Sequence, residues 1–390
     1  MRLTQLLLFV AVVAAFDVGS HYWIGRRLLG PWGTAEGWRR AAWLYLGFEA
    51  LIIPLTFVVL RMSGALWADA LQWVGFVALG VWSLLLAGVL ARDGLLGLMG
   101  LVEAVGGPAP SAERRRLLVS VLDGSVLAGT AALTAAAAWR AQKLAEVVSV
   151  DIPIDGLHAA LDGFRIAQIS DLHVGPTVTA PQMEAVTTRV NELDADLVAV
   201  TGDLIDGPVA GLAHGVAPLG KLQGRHGTWF VTGNHEYYSG VDPWLEHIRG
   251  ELGWTALTEE HRLLEHDGAR ILVAGVTDPT ASRMHPTHAC SPAAACAGAP
   301  DADFRLMLAH QPESAPEVAS LGFDLQLSGH THGGQYFPYS ALIHLVKKYV
   351  AGLYRVGNLH VYVNRGTTYW GPPLRLGSPQ EITLLTLRRA

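Results

Sequence analysis

Seven residues in the second half of this 390-residue chain are donors of the kind that hold divalent metal ions: Asp171, His173, Asp203, Asn234, His310, His330 and His332. They come in five short clusters: Ser170-Asp171-Leu172-His173, Gly202-Asp203-Leu204-Ile205-Asp206, Gly233-Asn234-His235-Glu236, Ala309-His310-Gln311 and Gly329-His330-Thr331-His332-Gly333-Gly334-Gln335. The set offers oxygens and imidazoles but no thiolate, which suits manganese, iron or zinc better than calcium or a soft copper site. It is too large for one tetrahedral ion and fits two ions about 3.5–4 Å apart. Two such ions need a carboxylate between them, and Asp203 is the natural bridge. Taken singly, each histidine reads as a surface or core residue and each glycine as an ordinary turn. Together they form one constellation, able to activate a shared water and to hold phosphoryl oxygens, while an imidazole can supply a proton near neutral pH.

The elements that carry these clusters are short β-rich runs at 164–169, 197–201, 228–232, 305–308 and 325–327, each ending where a cluster begins. Further runs lie at 271–276, 360–363 and 382–387. Residues 181–193 are predicted to form a helix, with Met183, Val186 and Val190 at helical spacing and Pro181 early, where proline is tolerated. Strands alternating with helices predict an α/β sandwich with a central sheet. In such sheets ligands gather beyond the carboxyl ends of the strands, so the five clusters converge on one edge. Asp206 reads either as a turn residue before Gly207-Pro208 or as a support for the site. Glu236 reads as a surface or supporting group, and Gly333, Gly334 and Gln335 as phosphate donors or a turn.

In this order the blocks D-x-H, G-D-x-x-D, G-N-H-E, a lone His and G-H-x-H resemble the calcineurin-like metallophosphoesterases, over roughly residues 147–390. The form G-H-T-H-G-G-Q, followed by Tyr362-Val363-Asn364-Arg365-Gly366, is similar to their membrane-associated bacterial branch. The resemblance implies the four-layer-type α/β sandwich of that family. It implies that Asp171, His173 and His332 hold one metal, that Asn234, His310 and His330 hold the other, and that Asp203 is shared. It makes His235 the general acid, with Asp206 orienting it, and places Asn234, His235 and Gln335 against the substrate. The implied reaction is hydrolysis of a phosphomonoester or phosphodiester by a hydroxide bridging two Mn, Fe or Zn ions. The run Gly366-Thr367-Thr368-Tyr369-Trp370-Gly371 departs from the G-L-G-type run of the family on the substrate side.

Composition divides the chain. It is 51% hydrophobic and 16% charged, against about 25% charged in an ordinary soluble domain. Residues 1–143 hold 12 of the 28 Lys+Arg and 8 of the 34 Asp+Glu, whereas 144–390 carry a net balance of −10 and 15 of the 16 histidines. That pattern excludes disordered, collagen-like and disulfide-scaffold chains. The acidic second half argues against nucleic acid as a partner. The division expected is therefore a membrane region, 1–143, and a catalytic domain, 144–390. Windows 3–20, 41–60, 70–91 and 117–138 are each apolar enough to span a bilayer, which predicts about four spans, the first an uncleaved anchor rather than a secretory signal. Residues 94–107 are too short to span and read as interfacial or re-entrant. Of the carboxylates in the spans, Asp17 lies near a helix end, and Glu49 and Asp123 are expected to bond to neighbouring helices. Arginine excess in loops 21–40 and 92–116 places those loops in the cytoplasm and the catalytic domain outside it, making a multi-pass membrane protein.

The function expected is a membrane-anchored phosphoesterase acting on a lipid-derived or cell-envelope substrate. The alternatives are a cytoplasm-facing pyrophosphatase of a lipid precursor and a non-catalytic membrane sensor of a phosphorylated ligand. Cys290 and Cys296 lie in a Pro/Ala-rich loop as a disulfide or as free thiols. The apolar stretch 336–354, with Lys347 and Lys348, reads as a packed surface helix, its alternatives being contact with lipid headgroups or a cover for the pocket.

Overall fold

The apolar windows of the first half fold as helices. In the computed structural model, which describes residues 3–30, 36–59 and 65–390 with side chains from Ala11 onward, they are α1 (Leu3–Leu29), α2 (Glu36–Val59), α3 (Leu66–Ala104) and α4 (Ala112–Ala141). Among the described residues three of them, α2, α3 and α4, are long and apolar enough to cross a membrane. The first expected window, 3–20, falls partly outside the described side chains. Two compact units divide the chain, one drawn from Met1–Val59 and Ala70–Trp139, the other from Leu60–Asp69 and Arg140–Ala390.

One expectation is corrected within the first unit. The stretch from residue 94 is no separate interfacial segment but, as far as Ala104, the continuation of a 39-residue helix, about 58 Å long at 1.5 Å per residue. No proline breaks it. Arg92, expected in a loop, sits inside it and donates to Asp123 at 2.8 Å and Asp93 at 2.6 Å, while Arg27 pairs with Asp93 at 2.8 Å. Ion pairs of this kind let charged residues continue an apolar helix. Glu49 accepts from Tyr45 at 2.6 Å and Asp17 faces His21 at 3.3 Å. These helices share a core of Ile24, Leu28, Leu46, Ile53, Trp82 and Val89.

The second unit holds twelve strands: β1 (Glu146–Ile154), β2 (Arg165–Ile169), β3 (Leu197–Val200), β4 (Thr228–Phe230), β5 (Thr255–Ala256), β6 (Glu260–His266), β7 (Ala269–Gly275), β8 (Phe304–Leu308), β9 (Leu325–Ser328), β10 (Gly352–Val356), β11 (Leu359–Val363) and β12 (Glu381–Arg389). They form two six-stranded sheets, ordered β1-β12-β2-β3-β4-β5 and β10-β11-β9-β8-β7-β6. Neighbours from β2 to β5 run parallel, as do those from β7 through β8 and β9 to β11. Side chains alternate between faces along a strand. Ile166, Leu197, Ala199 and Trp229 thus join Ile271, Phe304, Leu306 and Leu327 in one core, while Ala167, Ile169, Val198 and Val200 join a second. That second core includes residues of helices α5 (Ala180–Asn191), α6 (Val209–Val216) and α8 (Val241–Gly250), and a third core packs the helix Ala315–Ser320 on the other sheet. The result is a helix–sheet–sheet–helix sandwich. The eight predicted runs are all strands. The four strands that sequence patterning missed, β1, β5, β6 and β10, are the four sheet edges. Edge strands are short or half-exposed and carry charge, as in the Glu-His-Arg-Leu-Leu-Glu-His of β6, so their alternation is weak.

Candidate metal centre

The parallel strands β2, β3, β4, β8 and β9 send their carboxyl ends to the same edge, and the five clusters begin there. The turns after β2 and β3 are sewn together, Asp171 N–H donating to Gly202 O at 3.0 Å and His173 N–H to Asp203 O at 3.0 Å. The two sheets are joined by His330 N–H, which donates to the Asp171 carboxylate at 3.0 Å. Asp171, His173, Asp203, His330 and His332 all have positive φ, between 44° and 73°. Left-handed backbone at so many non-glycine residues persists only where the surroundings impose it. The motif glycines are required by close approach: a Cβ on Gly233 would overlap the Asp203 carboxylate, and one on Gly329 would overlap Ser170 and Asp171.

The convergence brings donor atoms within reach of common ions. His173 Nε2 lies 3.1 Å from His332 Nε2 and 3.8 Å from Asp203 Oδ2, and His332 Nε2 lies 3.4 Å from Asp171 Oδ1. His310 Nε2 lies 3.2 Å from Asp203 Oδ2. Asp171, His173 and His332 therefore make one group, and Asp203, His310 and His330 another; His173, Asp203 and His235 make a third, between them. Asn234, the first residue of helix α7 (Asn234–Ser239), is buried, and its Oδ1 has no hydrogen-bond partner among the described residues. The donor set fits a divalent metal on a specific ground. His310 Nδ1 donates to Thr201 O at 2.7 Å, which leaves a lone pair on Nε2 facing a carboxylate oxygen. Two acceptors at that separation need a cation or a proton between them. His173 Nδ1 likewise donates to Asp206 Oδ1 at 3.0 Å, and its Nε2 meets His332 Nε2 at 3.1 Å.

The field at the site is strong. Burial opposes the charge on Asp203, but the imidazoles of His310, His235 and His173 outweigh it and hold the carboxyl well below its ordinary range. Asp206 is likewise buried and is held low by His173 and His235. Burial would depress His235, yet Asp203 and Asp206 raise it to about 9, and the Asp206 oxygen lies 2.6 Å from its Nδ1. His310 is raised by Asp203 against its burial, whereas His332 is lowered by burial, His173 and Arg375.

Three supporting residues were hidden or undervalued in the sequence. Glu236 is fully buried and accepts from Leu204 N at 2.7 Å, Asp203 N at 3.1 Å and Gly233 N at 2.5 Å. It ties the Asp203 turn to α7, and its position three residues after Gly233, where a Glu reaches back to the cap, was the available signal. Arg375 is buried and lowered by that burial to about 9, and its guanidinium donates to His332 O and contacts the His332 ring, each at 3.1 Å. No motif marks it. Trp370 stands with its ring 5.5 Å from that of His235. Gln335, expected against the substrate, has its amide bonded to Trp370 and Pro372: Nε2 donates to both carbonyls at 3.0 Å and Oε1 accepts from Trp370 N at 2.9 Å. Cys290 and Cys296 are free thiols.

Residues 164–334 match the calcineurin-like phosphoesterase family. A transmembrane protein with metallophosphoesterase domain from Danio rerio is 38% identical over 253 residues, covering 63% of this chain and 58% of that protein. Its counterpart from Bos taurus is 39% identical over 257 residues, covering 63% and 57%. The chain thus spans less than two thirds of the length of these relatives. An uncharacterized metallophosphoesterase of Bacillus subtilis, YkuE, is 31% identical over 295 residues, covering 70% of this chain and 97% of that protein.

Proposed function

The chain belongs to the calcineurin-like metallophosphoesterase family, and from that membership we propose a membrane-anchored enzyme that holds two divalent ions and hydrolyses phosphomonoester or phosphodiester bonds. Residues 1–143 would be its membrane region and 144–390 its catalytic domain. Asp171, His173 and His332 would hold one ion, Asn234, His310 and His330 the other, and Asp203 both. Bound there, the ions supply Lewis acidity to phosphoryl oxygens and a water acidic enough to attack phosphorus at neutral pH. The observation that carries the reading is His310 Nε2, turned toward the Asp203 carboxylate at 3.2 Å while its Nδ1 is committed to the Thr201 carbonyl.

The protein's own groups do the rest. Asp206 holds His235 through Nδ1, leaving Nε2 to deliver a proton to the leaving oxygen, and a raised imidazole pKa keeps that proton in place near neutrality. Glu236 and Arg375 fix the turns that carry Asp203 and His332. Gln335 acts by holding Trp370 beside His235 rather than by touching phosphate. The arginines clustered near the ends of α1, α2 and α4, Arg26, Arg27, Arg39, Arg40 and Arg114 to Arg116, support an extracytoplasmic catalytic domain; an active cytoplasmic reporter fused after Ala390, with a silent periplasmic one, would reverse it.

The test is hydrolysis of p-nitrophenyl phosphate and bis-p-nitrophenyl phosphate by the purified full chain with Mn²⁺, Zn²⁺ or chelator. Metal-dependent turnover, lost in Asp203→Ala, is expected. A folded, metal-loaded chain that binds phosphoesters without turnover would make it a sensor instead.

A further inference from the structure

The helix Tyr339–Val346 begins four residues after Gln335, the last residue of the His330–His332 cluster. Its sequence, Tyr-Ser-Ala-Leu-Ile-His-Leu-Val, has the composition of a core helix, yet none of its residues is buried. Leu345 is 80% exposed, Val346 79% and Leu342 50%, and Phe337, on the approach to the helix, is 49% exposed. The packed surface helix expected from the sequence is therefore a helix, but its apolar side chains Leu342, Leu345 and Val346 are left exposed. An apolar patch of this kind on a folded domain marks an interaction surface.

Its surroundings indicate what covers it. Lys347 and Lys348 follow the last turn, and Tyr339 lies on the helix. Lys347 donates to Glu313 at 2.7 Å, and Lys348 lies 5.0 Å over the Tyr349 ring. Aliphatic residues for the acyl boundary, aromatic rings at its edge and lysines at headgroup level are the pattern of a helix lying in a membrane interface. Lys348, which no carboxylate engages among the described residues, complements an anionic lipid surface, and among the described residues the same chain carries three helices apolar and long enough to cross a bilayer. The helix is also rigidly joined to the metal centre. Gly334 packs so closely on the Tyr339–Ser340 backbone that a Cβ would overlap it, Ser340 N–H donates to Tyr336 O at 3.0 Å, and Thr331 bonds the Val350 carbonyl.

We infer that the helix Tyr339–Val346 docks on an anionic bilayer surface and holds the metal centre at the level of the headgroups, so that the substrate is a phosphoester of a membrane lipid. The substrate half of this inference rests on the proposed phosphoesterase activity; the docking half does not.

Docking is tested in the full chain, one copy per lipid nanodisc of phosphatidylcholine and phosphatidic acid. In a Cys290→Ser, Cys296→Ser background, Leu345→Cys is labelled with a nitrobenzoxadiazole fluorophore, and Asp301→Cys, at another exposed position, serves as control. Doxyl-labelled lipid is expected to quench the label at 345 and to leave that at 301 unaffected. Equal quenching at both positions overturns the docking, as does quenching at 345 that needs a second chain in the disc. Leu345→Glu combined with Val346→Glu is expected to lower hydrolysis of phosphatidic acid about tenfold, since interfacial binding scales with buried apolar area, and to leave hydrolysis of p-nitrophenyl phosphate unchanged. Equal loss on both substrates, or no cleavage of phosphatidic acid by a chain that cleaves p-nitrophenyl phosphate, overturns the substrate assignment. Failure on both substrates in the unsubstituted, metal-loaded chain is instead a failure of the phosphoesterase reading.

Discussion

Asp206 Oδ1 lies 2.6 Å from His235 Nδ1, and the same oxygen accepts from His173 Nδ1 at 3.0 Å. One carboxylate thus aims both the imidazole proposed to protonate the leaving oxygen and one proposed to hold metal. His235→Ala is expected to lower kcat by about 10²–10⁴-fold, the usual worth of a positioned general acid, with bound metal unchanged. The loss should be largest for alkyl phosphates and smallest for p-nitrophenyl phosphate, whose leaving group needs little protonation. A flat dependence on leaving-group pKa difference between wild type and variant would remove His235 from that role. Asp206→Asn should lower kcat and also weaken metal binding, because it frees two rings rather than one.

Asp203 belongs to two of the three candidate groups, with His310 and His330 and with His173 and His235, and also accepts from His235 N–H at 2.9 Å. Asp203→Ala therefore removes a shared donor and loosens the start of α7. Bound metal measured by elemental analysis should fall from about two ions per chain, as a two-metal site requires, to one or none, and turnover should fall to the chelator background. Retention of two ions would show that another group bridges them.

Glu236 gathers three backbone N–H groups from two turns in a fully buried position. Glu236→Gln turns an NH2 toward donors that had a carboxylate oxygen. Hydrogen bonds to charged groups are worth about 1.5–3 kcal/mol each, so thermal unfolding of the second unit should shift down by several degrees, at a few degrees per kcal/mol. The same substitution should weaken metal binding, since Asp203 rides on the released turn. An unchanged melting temperature would mean that the two turns hold their geometry without Glu236.

The candidate metal cluster was legible because its donors follow short strands rich in Leu, Val, Ile and Phe, as in Leu197–Val200 and Phe304–Leu308, and parallel strands carry their ends to one edge. What escaped had no local pattern. The edge strands β6 and β10 carry polar residues on a half-wet surface, and α3 runs on through residues 94–104, expected as a separate short segment, because Arg92 finds Asp123 on another helix. Arg375 is fully buried beside His332, held there by loop carbonyls of Arg365, Thr368 and Ser378 as well, and irregular loop carbonyls leave no pattern in the sequence. The helix Tyr339–Val346 misled in the opposite direction: apolar composition predicts burial, and only the structure shows Leu342, Leu345 and Val346 exposed.

Cys290 offers a test of burial away from the metal centre. Its thiol is half-buried, and its backbone N–H donates to Glu259 at 3.0 Å and to Thr277 at 3.2 Å. Burial, with the negative charges of Asp278 and Glu259, pushes the thiol up to about 12. The sign is that of an acid whose charged form is disfavoured, so the thiolate is scarce below that value. At pH 8 only about 10⁻⁴ of the thiol is ionised, against roughly a quarter for a free cysteine. Iodoacetamide should therefore label Cys290 in the native chain about a thousandfold more slowly than in the denatured chain at pH 8. The native rate should rise about tenfold per pH unit up to pH 10, because the attacking species is the thiolate. Peptide mapping by mass spectrometry reads the site directly. Rapid native labelling at pH 8 would mean that the 284–300 loop opens to solvent.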